Sequence, residues 1–124
     1  MIHELASSFL LLLLFDAIWL TLTMSNSLRM VSAVQKQSLT IRWIPAVVVY
    51  IIMAAAIYVF AVMESKSVRE AALRGAGIGA AMYGVYDMTN YATFANYPLS
   101  FALTDILWGT TLCAATASLT KWLI

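Results

Sequence analysis

Three aspartates, Asp16, Asp87 and Asp105, stand in segments otherwise apolar enough for the interior of a membrane. An ionised carboxylate in hydrocarbon costs several kcal/mol unless it is paired. The seven basic residues, Arg29, Lys36, Arg42, Lys66, Arg69, Arg74 and Lys121, all fall outside the apolar spans or at their mouths, so none is placed to offset an acid inside. The aspartates must therefore hold protons, bind a cation or meet water.

Helical spacing gives each acid neighbours. Tyr83, Asn90 and Tyr91 stand four before, three after and four after Asp87, which puts hydroxyl and amide partners on its face of a helix. Asp16 and Asp105 head matching D-x-x-W-x-T strings, Asp16, Trp19, Thr21 and Asp105, Trp108, Thr110. On two antiparallel helices each indole N–H comes level with the opposite carboxylate, so the pair of strings predicts a mutual clamp between Asp16, Trp19, Asp105 and Trp108. Such a clamp could serve only to hold helices together. Three acids at one level exceed what a clamp needs, and ionisable groups inside membranes mark pathways or sites.

The elements that must position these residues are four helices. Spans are expected at about residues 5–24, 43–63, 68–91 and 99–122, joined after the first by an amphipathic connector, 25–42, lying on the membrane surface. Pro45 suits the first turn of the second span, and Ser67 with Glu70 makes the S-x-x-E of a capping box that opens the third. The third holds Gly75, Gly77, Gly79 and Gly84, whose missing side chains let another helix approach. Only ATFANYP separates it from the fourth, and Pro98 is placed to open that helix, so the last two spans form a tight antiparallel pair. Counting about 1.5 Å per residue from the shared membrane face puts Asp16, Asp87 and Asp105 roughly 12, 6 and 9 Å inward, a single layer. A compact bundle would bring them to one pocket, open towards the face that carries the connector.

Composition agrees with this all-α membrane domain and excludes other classes. Of 124 residues, 63% are hydrophobic and 10% charged, too apolar a balance for a soluble domain. The net charge of +1 is spread along the chain, so no basic stripe exists for nucleic acid. One cysteine, Cys113, and one histidine, His3, can form neither an internal disulfide nor a typical zinc site; the thiol reads as a buried structural one and the histidine as solvated. The residues before the first apolar run, MIHELASS, contain Glu4 and no Lys or Arg, so that run reads as a retained helix rather than a secretion signal. Basic residues divide four to three between the two faces and set no orientation.

Together these strings resemble the small membrane-protein family named domain of unknown function 2177. In that family an early D-x-x-W is followed by Y-D-x-T-N-x-A-T, a W-P-L or similar turn, and D-x-x-W-G-T. The matching residues here are Asp16 and Trp19; Tyr86, Asp87, Thr89, Asn90, Ala92 and Thr93; Pro98 and Leu99; and Asp105, Trp108, Gly109 and Thr110. Tyr97 stands where Trp is usual, a change expected to matter little. The resemblance implies a four-helix integral membrane protein and brings no reaction with it.

Three functions compete. The first is a channel or carrier for protons or a small cation, built on Asp16, Asp87 and Asp105 with Asn90, Tyr83, Tyr91, Trp19 and Trp108, and oligomeric through the Gly75 and Gly79 face. The second is a structural or accessory subunit whose acids are interhelical glue. The third is an intramembrane enzyme acting on lipid, against which the absence of any Ser-His or Cys-His pair counts; a magnesium or calcium site made from the three aspartates and Asn90 would suit it. The first leads, with membrane lipids as partners, no cofactor and no enzymatic activity expected.

Overall fold

The computed structural model describes the backbone of residues 2–35 and 42–124, with side chains at 2–19, 21–22 and 42–124. Four helices follow in chain order: α1 (Ile2–Gln35), α2 (Trp43–Ile57, running on through a π-helical turn Tyr58–Val62), α3 (Val68–Thr93) and α4 (Leu99–Leu123).

α1 does not stop near Met24. With no Pro or Gly between Ile2 and Gln35, nothing breaks the hydrogen-bond ladder, and one 34-residue helix runs through the first part of the expected connector. The side chains on which the surface-lying reading of 25–41 rests lie outside the described residues. α2 opens with Pro45 in its first turn, where the missing N–H leaves no bond unmade. It closes by widening: Met63 N–H donates to Tyr58 O at 2.9 Å, five residues back. The Val62 carbonyl at that end accepts from Ser65 Oγ at 3.0 Å and from Lys121 Nζ at 3.2 Å. A basic residue of α4 thereby caps α2.

α3 starts where the S-x-x-E pattern puts it. Ser67 Oγ accepts from Glu70 N–H at 3.1 Å, and Glu70 reaches back to Lys66 N–H, one residue before the usual partner, at 2.9 Å. Glu70 also pairs with Arg74 one turn on, at 3.1 Å. The turn 94–98 then brings α4 back along α3, and these two helices form the most extensive interface among the described residues.

Its geometry explains the glycines. A Cβ on Gly75 would meet the Cys113 carbonyl and Ala117; one on Gly79 would run into the Gly109 carbonyl; one on Gly109 would overlap the Tyr83 ring. Gly75 and Gly79 are thus consumed by α4 within the same chain. The expected homo-oligomer contact through that face is corrected: backbone is already packed there. Cys113 is buried and free in the same seam.

The exterior is apolar and the interior carries polar groups, the reverse of a soluble domain. Leu10, Leu14, Leu22, Ile44, Ile52 and Leu107 are among many exposed large side chains, while Ser8, Asp87, Thr116 and Thr120 are fully buried. Among the described residues three helical stretches, Ile2–Trp19, Trp43–Val62 and Leu99–Leu123, are long and apolar enough to cross a membrane. α3, expected as a fourth such span, meets the demand of length with its 26 residues but not of apolarity. Its first turns carry Arg69, Glu70 and Arg74, and its last carry Asp87 and Asn90.

Gly79→Ala is expected to lower unfolding free energy by about 1–3 kcal/mol, because backbone cannot step aside as a side chain would. Gly77→Ala, which meets nothing within 4 Å, should cause no loss. Unfolding in mixed detergent micelles measures both.

Candidate functional site

Asp87 and Asp105 face one another across the α3–α4 pair because each lies six residues from the turn, before Thr93 and after Leu99. The Asp105 side chain lies against that of Asp87 and within electrostatic reach of Asp16. Asp87 is fully buried, and its Oδ1 accepts from the Tyr97 hydroxyl at 2.9 Å while Oδ2 is buried without a hydrogen-bond partner. Tyr97 is itself buried, held between Phe94 and an edge-on contact with Phe101, and Asn90 lies beside its hydroxyl.

Asp16 is equipped differently. Its Oδ1 accepts from Trp108 Nε1 at 3.1 Å, and its Oδ2 accepts from the Tyr50 hydroxyl. Trp108 is fixed by stacking on Trp19, with ring centroids 4.9 Å apart and planes 8° from parallel. Asp16, Trp19 and Trp108 thus form an α1–α4 lock, and Tyr50 ties α2 into it. Tyr83, half-buried on α3, lies within electrostatic reach of Asp16, Asp105 and Tyr50, with its ring over Gly109.

The structure therefore gathers Asp16, Asp87, Asp105, Asn90, Tyr83, Trp19 and Trp108 into one neighbourhood. It does not gather Tyr91. Although four residues beyond Asp87, its side chain is 44% exposed on the outer side of α3, because the buried face continues through Asn90 instead. Nor do the carboxylates line an open polar pocket on the α2–α3 side. The groove there, of about 400 Å3, is bounded by Val49, Ile52, Met53 and Met82 with Tyr83 and Tyr86. Among the described residues no three His, Cys, Asp or Glu side chains assemble as a metal cage, so the magnesium or calcium site from the aspartates and Asn90 is not formed.

Two participants escaped sequence reasoning. Tyr50 carries no motif; its one signal is a phenol in the middle of a chargeless span. Tyr97 was expected to be an inconsequential replacement for Trp, yet its hydroxyl is the donor to Asp87. A second polar seam on α1 and α4, where Ser8 Oγ and Thr120 Oγ1 meet at 3.2 Å with both residues buried, was also unforeseen.

The match to the family described as "Predicted membrane protein (DUF2177)" runs over residues 1–122. The chain belongs to this family. No curated protein and no solved structure matches it. As a DUF2177 member with three apolar spanning helices it is a multi-pass integral membrane protein in contact with lipid.

Tyr50→Phe and Trp108→Phe each strip one donor from a carboxylate that keeps its burial. Each is expected to cost about 1–3 kcal/mol of stability. Tyr91→Phe, on the exposed side, should cost nothing measurable. Thermal unfolding in detergent checks all three.

Proposed function

We propose that the protein is a small membrane channel or carrier for protons or a small cation, and that the carboxylate layer is its ion-handling element. One observation carries the reading. The chain's three aspartates lie within electrostatic reach of one another where α1, α3 and α4 meet, and among the described residues none of them is ion-paired with a Lys or Arg. Negative charge held there without a matching cation favours a positive species. Phenols from α2, α3 and the turn, Tyr50, Tyr83 and Tyr97, stand beside the acids and add groups that both donate and accept. Trp108, stacked on Trp19, orients Asp16, and Asn90 lies beside the Tyr97 hydroxyl that donates to Asp87.

An accessory-subunit reading keeps one specific support, the hydrogen-bonded lock at Asp16, which needs no ion to account for it. Co-migration with larger unrelated subunits on a native gel after mild solubilisation would favour that reading. A homomeric band would count against it.

The test of the transport reading is dissipation of a pH gradient by purified protein in liposomes, repeated with sodium and potassium gradients. Wild type is expected to collapse one of these gradients, and Asp87→Asn to slow the collapse at least about tenfold with helicity unchanged, since the amide cannot take up the charge. Folded wild-type protein that carries nothing under any gradient would overturn the reading.

A further inference from the structure

The three aspartates are not equivalent, and their hydrogen bonds sort them. Asp16 has a donor on each oxygen, Trp108 Nε1 on Oδ1 and the Tyr50 hydroxyl on Oδ2. Asp87 has a donor on Oδ1 alone. Its Oδ2 is buried and without a partner, at a residue that is 0% exposed, and the side chain lying against it is another carboxyl, Asp105. A buried acceptor left without a donor costs about 1–3 kcal/mol, more for a charged group. Two ionised carboxylates in contact add repulsion to that cost.

A single proton removes both. We propose that Asp87 and Asp105 form a one-proton site, in which the acid O–H of one carboxyl donates to the other across Asp87 Oδ2, and that Asp16 is a structural acceptor outside it. This rests on the transport reading only in naming the proton as the ion handled.

The surroundings favour a proton over a metal ion. The groups about the pair are Tyr97 from the turn, with Asn90 and Tyr86 near its hydroxyl, Tyr83 from α3 and Asp16 from α1, the last held by Tyr50 of α2 and Trp108 of α4. None is a cation. They do not supply the cluster of acidic ligands that a desolvated divalent ion requires, whereas a proton needs only the two facing oxygens. Tyr97 acts as a positioning residue: by donating to Asp87 Oδ1 at 2.9 Å it leaves Oδ2 as the oxygen without a donor.

The chain offers a clean measurement, because Asp16, Asp87 and Asp105 are its only aspartates. Aspartate labelled with carbon-13 at the carboxyl carbon gives three signals in full-length protein in lipid. At neutral pH the expected result is a carboxylate shift for Asp16 and one proton over the other two. That proton shows either as one acid and one carboxylate or as two coincident intermediate signals. Asp105→Asn should abolish the acid signal, since its amide N–H can donate to Asp87 Oδ2 without a proton. Asp16→Asn should leave the acid signal in place. Three carboxylate shifts in the wild type, or an acid signal that belongs to Asp16, would overturn the proposal. The result is read without any flux measurement, so a protein that holds the proton but carries nothing would sink the transport reading and leave the one-proton site standing.

Discussion

The close approach of α3 to α4 is the constraint on which the rest of the structure depends. Gly75 and Gly79 on one helix and Gly109 on the other allow backbone to meet backbone, and no larger side chain fits at Gly79 against the Gly109 carbonyl. In lipid there is no hydrophobic drive to press helices together, so contact area and interhelical hydrogen bonds must do it. That seam sets the register of α3 on α4. Asp87 and Asp105, at equal distances from the connecting turn, face each other only in that register.

Around this pair the chain is built with its polar groups turned inwards. Asp16 ties three helices: its own α1, α4 through Trp108 and α2 through Tyr50. The stack of Trp19 on Trp108 keeps the indole N–H aimed at the carboxylate. At the other end of the α1–α4 seam, Ser8 and Thr120 make a further polar contact, and Lys121 caps the widened end of α2. Both ends of the bundle are therefore joined by directed bonds, which fix the rotation of helices whose apolar surfaces would otherwise slide in lipid.

The division of labour among the acids follows from the same geometry. Where two donors converge on one carboxylate, charge is accommodated and the group becomes part of the scaffold. Where one donor meets two carboxyls, the deficit stays local. Asp16 illustrates the first case and Asp87 with Asp105 the second. A short turn supplies the one donor that the second site has from outside the helices, Tyr97.

Much of this was legible before any fold was seen. Apolar runs broken by Pro, Gly and a capping pair defined four helices because lipid forces backbone hydrogen bonding to stay within each segment. Counting residues from helix ends brought the three aspartates to one level because rise per residue is constant. The continuation of α1 past Met24 was hidden by polar residues that suggest a connector on the membrane surface yet do not break a helix. The exposure of Tyr91 and the inclusion of Asn90 depended on how α3 is rotated about its axis, which spacing alone leaves open by tens of degrees. Tyr50 could not be foreseen from its own span, since its role comes from how α2 leans on α1. The glycine face pointed to close packing but not to its partner. Linear spacing therefore determined the helices and the nearness of the three aspartates, because these follow from local geometry and the solvent. Only tertiary packing decided which oxygen has a donor and which has none, because that depends on rotation and tilt summed over four helices.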